Sequence, residues 1–253
     1  MTPIPPPDDE LQRRWPLWEQ LQANFLAAAT AVPEHSLSVT DRPDANAFAE
    51  FCAMAGLVVD VGCGTQRLPT YADTSRCRFV GIDPLPGERE RDFEFLQGLG
   101  EYLPFRTGSV DQVIFATSLD HMLVPSRALV EAARVVRPGG AVNVWFGELP
   151  VDGPIQRLRT AAGHLLERWG LRRAPPPPEP EPHYIAGIEQ PEGAVDKFHV
   201  AHPTGPTITS WLVAAGLRPS DPERVDYGRG CFIRGTKPGE PAHRKPPDVV
   251  ERP

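Results

Sequence analysis

The chain has 253 residues, a formal net charge of -7 and 31 prolines, which suits one α/β domain with a modest insertion and leaves too little for two full domains. That acidic balance works against a polyanionic partner such as DNA or RNA, which needs clustered Lys and Arg to displace counterions. Four cysteines without CxxC spacing, an acidic, proline-rich start (MTPIPPPDDE) and no apolar run of membrane-spanning length predict free thiols, no signal peptide and a soluble cytoplasmic protein, with no membrane partner, as monomer or homodimer.

In chain order, Leu11, Trp15, Trp18, Leu21 and Phe25 recur at spacings of three and four, predicting an amphipathic helix over Glu10–Thr30 that Pro16 kinks or restarts. A second helix is predicted over Asp44–Ala55, stopped by Gly56. The period then changes. Leu57–Val61, Arg78–Ile82, Phe93–Gln97, Gln112–Thr117 and Ala141–Phe146 are short apolar runs, and alternation of such strands with helices implies a doubly wound parallel sheet with α/β, Rossmann-like architecture. Ser126–Val136 is a crossover helix with Leu129, Val130, Ala133 and Val136 on one face, ended by RPGG. Helix Thr207–Gly216 and strands near Arg218–Val225 and Gly230–Gly235 close the fold.

Between them, 151–206 is too long for a simple loop and holds a helical stretch, Gln156–Trp169, and the proline run Ala174–Pro182. Prolines also crowd the first seven residues and the tail from Lys237, compositions that favour solvated, extended backbone. The expected division is a tail and lid helix over 1–40, a core over 41–150, an insertion and cover over 151–206, closing elements over 207–236 and a disordered tail over 237–253.

The chemistry gathers at VVDVGCGTQ, Val58–Gln66, a strand, a glycine-rich turn and the expected start of a helix. Gly62 and Gly64 allow torsions and close approach that a Cβ forbids, so a ligand can lie against the main chain. Asp83 closes the second strand, where a carboxylate accepts from the hydroxyls of a ribose. A nicotinamide dinucleotide site wants a third glycine where this chain has Arg67.

These residues, with GIDP at Gly81–Pro84, GEYLPFRTGSVDQVIFATSLDH at Gly100–His121 and EAARVVRPGGAVNVW at Glu131–Trp145, resemble the class I S-adenosylmethionine-dependent methyltransferases, in the small-molecule group described as type 11. The resemblance implies a seven-stranded sheet with its last strand antiparallel and S-adenosyl-L-methionine as cofactor. It implies that Asp60 orders the turn and the methionine end, that Gly62, Gly64 and Thr65 wall the cleft, and that Asp83, followed by Pro84, takes the ribose. The adenine amino group usually meets an acidic residue where this chain has Leu99, so Glu101 or a backbone carbonyl is the substitute, beside the Gly100 amide. Thr117 falls beside the methionine moiety.

The activated methyl group asks the protein mainly to align a nucleophile and exclude water, and an oxygen acceptor also needs a base. Asp120 and His121, after the fourth strand, are the foremost candidates, with packing under the cover as the alternative for His121. DKFHVAHP offers Asp196, His199 and His202. His199 is taken to face His121 across the acceptor, and no metal is assigned because a fourth ligand of strong spacing is lacking. Trp15, Trp18 and Phe25 either form a lid or pack, and Cys63 is not a nucleophile. ATSLD lacks the Asn/Asp-Pro-Pro-aromatic signature of amino-directed nucleic-acid enzymes. The expectation is O-methylation of a hydroxylated sugar or natural-product-type small molecule, against N- or C-methylation or a silent cofactor-binding member.

Overall fold

A computed structural model describes residues 9–31, 43–86, 90–147, 187–225 and 230–239. Within them the apolar runs become strands β1 (Gly56–Val61), β2 (Cys77–Asp83), β3 (Glu94–Gln97), β4 (Val110–Ala116) and β5 (Val136–Gly147), all parallel, with β8 (Gly230–Thr236) antiparallel against β5. The sheet order is β3-β2-β1-β4-β5-β8-β6, the doubly wound α/β plan expected. Among the described residues eight strands stand where seven were expected. The stretch Arg218–Val225 splits into β6 (Arg218–Pro219) and β7 (Glu223–Arg224), each paired with β8, because Pro219 and Pro222 offer no amide to a ladder.

Helices cover both faces. On one, α3 (Pro125–Val135) and α4 (Gly205–Ala214) bury Leu129, Ala132, Ile208 and Leu212 against Val113, Val142 and Val144. On the other, α2 (Pro43–Cys52) packs Phe48 and Cys52 with Tyr71, Phe79, Trp145 and Phe232. The α3 stripe differs from its expected face in two positions. Val130 is 50% exposed while Ala128 and Ala132 are buried, and Val136 already belongs to β5. Helix α2 ends sooner than expected, at Cys52, followed by Ala53 at φ +44°.

Helix α1 (Asp9–Ala31) runs through Pro16 without interruption. Its Leu11, Trp15 and Trp18 are buried against Leu123, Val124 and Leu99. The two tryptophans are packed residues, while Phe25 sets its ring edge on His121 at a centroid distance of 5.3 Å.

One expected element does not form. No helix follows the glycine turn, and 62–76 runs as turns and bends. Pro69 has no amide and disfavours helical backbone before it, the Asp73 side chain accepts from the Ser75 amide at 3.2 Å, and Tyr71 is drawn into the core. The helix expected over Gln156–Trp169, the proline run and most of the tail lie outside the described residues. Among the described residues, no helix is long and apolar enough to cross a membrane, and all four cysteines are free thiols.

Candidate active site

The strand order reverses at β1, with β2 and β3 on one side and β4 and β5 on the other, so the carboxyl ends of β1 and β4 flank a crevice. There Gly62 and Gly64 take φ +77° and +70°, left-handed backbone that a side chain disfavours. A Cβ on Gly62 would stand 2.4 Å from the Ser118 Cβ. Ser118 comes this close because its hydroxyl donates to the Val61 carbonyl, tying the tips of β1 and β4 together. The residue before it, Thr117, holds φ +55° while its amide donates to the Trp145 carbonyl at 2.9 Å. A β-branched residue in that region is strained, and such strain concentrates at functional sites.

The turn is also fastened to β2. The Gly62 amide donates to the Ile82 carbonyl at 2.7 Å, and the Gly64 amide donates to Asp83 Oδ2 at 2.8 Å. Asp83 Oδ1 accepts from the Leu85 amide, also at 2.8 Å. Asp83 is only 7% exposed. Burial pushes its pKa up to about 6, against the pull of the Leu85 and Gly64 amides and of Arg91.

Asp60 is wholly buried. Its Oδ2 accepts from the Tyr71 hydroxyl at 2.7 Å, and Oδ1 has no hydrogen-bond partner among the described residues. Burial raises its pKa to about 7, the Tyr71 bond opposes, and the Asp83 charge adds to the rise. Two neighbouring buried carboxylates, one of them with an oxygen that meets no donor among the described residues, make this end of the crevice favourable to positive charge. Burial, with Asp60 and Asp83, raises the Cys63 thiol far above its ordinary range, so Cys63 is no nucleophile.

Thr65 is half-buried in the turn, and the Pro84 carbonyl accepts from Gln97 Nε2 at 3.0 Å. Gly100 is buried between Val61 and Met122, and Leu99 packs toward Trp15 and Trp18. The Glu101 carboxylate is committed elsewhere. It is 1% exposed and accepts from the Val124 amide at 2.9 Å, anchoring the start of α3.

At the other end of the crevice, the 3-10 turn Leu119–His121 meets the segment before α4. The expected approach of His199 to His121 occurs, with Nε2 to Nε2 at 3.2 Å. The rings touch directly, which leaves no space for an acceptor between them. His199 Nδ1 lies 2.8 Å from each Asp196 oxygen, and His199 Nε2 lies 3.6 Å from Asp120 Oδ2. His202 stands 3.8 Å from Asp120 and 2.9 Å from Asp196, and these carboxylates, Asp120 foremost, raise its pKa. Burial lowers that of His121, with Asp120 opposing and His199 reinforcing. Helix α1 pins the cluster. Trp18 Nε1 donates to the His121 carbonyl at 3.1 Å, and Asn24 Nδ2 donates to the Lys197 and Glu189 carbonyls at 2.8 and 2.9 Å.

Three residues of the crevice escaped the sequence reading. Tyr71 reaches Asp60 only because the segment after the turn is not helical. Ser118 sits inside the SLDH segment already singled out, so its place was legible and its bond to Val61 was not. Arg91 donates through Nη2 to the Gly64 carbonyl at 2.9 Å and stacks 3.8 Å above the Phe95 ring. No pattern of residues announces it. Arg67, where a dinucleotide site wants glycine, pairs with Asp92 at 2.7 Å on the surface.

The sequence comparisons converge on the same stretch. A family model described as a methyltransferase domain matches residues 59–144. An uncharacterised methyltransferase of Mycolicibacterium gilvum is 33% identical over 102 residues, covering 36% of this chain and 40% of that protein. A demethylmenaquinone methyltransferase of Renibacterium salmoninarum is 33% identical over 115 residues, covering 41% and 46%. The chain thus spans less than half the length of these curated relatives. Among solved structures, the 1,6-didemethyltoxoflavin-N1-methyltransferase of Burkholderia thailandensis superposes with a TM-score of 0.57 over 94% of this chain and 93% of its own, at 14% identity, a likeness of fold. Residues 59–144, which hold the glycine turn and the strand-terminal Asp83, thus match a methyltransferase domain, on a sheet of the kind these enzymes share.

Proposed function

We propose that this chain transfers the methyl group of S-adenosylmethionine to a hydroxyl of a small molecule, a sugar or natural-product-type acceptor, with the Asp120, His121 and His199 cluster receiving the acceptor's proton. The cofactor brings a methyl group already activated on a sulfonium. The residues present fit it. Gly62 and Gly64 hold the tight left-handed turn at the crevice, Asp83 stands at the end of β2 for the ribose, and the unpartnered Asp60 oxygen favours the cationic end. The observation that carries the acceptor reading is the placing of His121 one short turn beyond Ser118, which itself packs on the cradle, in contact with the His199 imidazole. Basic nitrogens there serve an acceptor with a proton to lose.

The test measures S-adenosylhomocysteine release with hydroxylated acceptors and their amine isosteres. Turnover is expected with the hydroxyl compounds. His121→Ala is expected to lower kcat by about a hundredfold while the dissociation constant for the cofactor stays unchanged. Full activity in that variant would reduce His121 to packing, and turnover on the amines alone would move the reaction to nitrogen.

The two buried carboxylates make a prediction for pH. Asp60 and Asp83 hold protons up to about 7 and 6, facing each other, Arg91, Cys63 and Tyr71. A cation bound beside them favours their ionised forms and lowers both pKa values, so binding must release protons wherever the free protein still holds them. Affinity for S-adenosylmethionine is expected to rise by about tenfold from pH 5.5 to 7.5 and then level off. Calorimetry at pH 6.5 in two buffers of different ionisation enthalpy reads the released proton directly, and equal heats in both would remove the linkage.

A further inference from the structure

Among the described residues, two sets of His and Asp side chains converge and share His199: Asp120, His121 and His199, and Asp196, His199 and His202. The sequence alone offers Asp196, His199 and His202, too few for a metal site. Folding adds Asp120 and His121 from the end of β4, and the geometry of the first set is the more telling. The Asp196 carboxylate takes His199 Nδ1 with both oxygens at 2.8 Å, which fixes the ring proton there and leaves a lone pair on Nε2. That lone pair faces His121 Nε2 at 3.2 Å and Asp120 Oδ2 at 3.6 Å. Around an ion with bonds of about 2.1 Å, neighbouring ligand atoms stand about 3.0 Å apart in an octahedron and about 3.4 Å apart in a tetrahedron.

We propose that Asp120 Oδ2, His121 Nε2 and His199 Nε2 bind a divalent transition-metal ion of the zinc, iron(II) or manganese(II) class, with open positions toward the crevice. Two imidazoles and one carboxylate form the ligand set of catalytic zinc and non-haem iron sites, which keep room for water or substrate. Asp196 supplies the carboxylate that commonly orients a ligating histidine from behind. His202 stands 2.9 Å from Asp196 and 3.8 Å from Asp120, beside the ligand set. The ligands come from two segments that α1 holds together through Trp18 and Asn24, so the set is assembled before an ion arrives. Asp120 and His199 are 23% and 17% exposed, which leaves an entrance. With an ion bound, these three ligand atoms no longer take the acceptor's proton, which an acceptor hydroxyl joined to the ion would instead release to water, and ion binding stands whatever the acceptor.

The experiment uses the full chain, stripped with a chelator, dialysed and titrated calorimetrically with zinc chloride and with manganese chloride in the absence of cofactor. One ion per chain is expected, at micromolar affinity or tighter for zinc, with a rise in Tm on loading. His199→Ala and Asp120→Asn are expected to weaken binding at least about a hundredfold, and Asp196→Asn, which keeps all three ligands, by about tenfold to a hundredfold. Cobalt(II) is expected to give the visible bands of a nitrogen and oxygen site without thiolate charge transfer. No saturable binding of zinc or manganese to the wild-type chain would overturn the proposal. So would binding that survives both ligand substitutions, or thiolate bands that move the ion to a cysteine. The wild-type titration and the isosteric Asp196→Asn decide the matter even if a ligand variant fails to fold, and neither readout depends on methyl transfer.

Discussion

Asp83→Ala is expected to weaken binding of S-adenosylmethionine by about a thousandfold, read by calorimetry at pH 7.5, where the carboxylate is ionised. A hydrogen bond to a charged group contributes about 1.5–3 kcal/mol, and a ribose presents two hydroxyls to this carboxylate. A second loss accompanies the first. Asp83 Oδ2 holds the Gly64 amide at 2.8 Å and Oδ1 holds the Leu85 amide at the same distance, so alanine also releases the turn that lines the crevice. Asp83→Asn separates the two effects. It retains the shape and one acceptor oxygen, and an intermediate loss of about tenfold to thirtyfold is expected from the missing charge. The fold is expected to survive in both variants, since a buried carboxylate whose pKa is raised to about 6 costs the free protein stability at neutral pH. Affinity within threefold of wild type in Asp83→Ala would remove Asp83 from the cofactor site.

The largest effect on stability is expected from Gly62→Ala, a loss of about 3 kcal/mol in urea unfolding. A side chain at φ +77° costs about 1–2 kcal/mol relative to glycine. The new Cβ would overlap the Ser118 Cβ at 2.4 Å and Oγ at 2.9 Å, and moving Ser118 breaks its bond to the Val61 carbonyl, worth about 1 kcal/mol. Gly64→Ala is the comparison. It carries a similar backbone penalty at φ +70°, but its nearest contact is the flexible end of Gln66 at 2.8 Å, so a loss of about 1–2 kcal/mol is expected. Ser118→Gly in the Gly62→Ala background removes the obstructing Cβ, and recovery of about 1 kcal/mol would be the signature of the steric part. Equal losses in the two glycine variants, with no recovery in the double variant, would show that backbone torsion alone sets the cost.

Both predictions concern residues found in the sequence, and the reason is local. A glycine pair after an apolar strand, and an acidic residue at the end of the next, act through the backbone of their own turn, so their spacing along the chain already fixes their geometry. The chemistry of the histidines was legible in part. His121 and His199 were candidates from their neighbours Asp120 and Asp196, but their 3.2 Å contact joins segments 78 residues apart, and only the packing of α1 against both decides it. Glu101 shows the opposite case. Its place beside Gly100 suggested an adenine contact, and in the fold its carboxylate is buried and accepts from the Val124 amide, which the sequence did not announce. A buried carboxylate takes the nearest unpaired backbone donor, and which donor is nearest is a tertiary fact.

The amino-acid order determined the alternation of apolar strands and amphipathic helices, the glycine turn and the acidic end of β2, because hydrophobic period and backbone torsion are properties of short stretches. Tertiary structure decided what depends on distant segments sharing one space. It withheld a helix after the glycine turn and sent Tyr71 to Asp60, broke the strand after α4 into β6 and β7, and locked Ser118 onto Val61. It also gathered Asp120, His121, Asp196, His199 and His202 at one end of the crevice. Side-chain contacts of that kind follow from how the layers pack, and no single segment carries the information to set them.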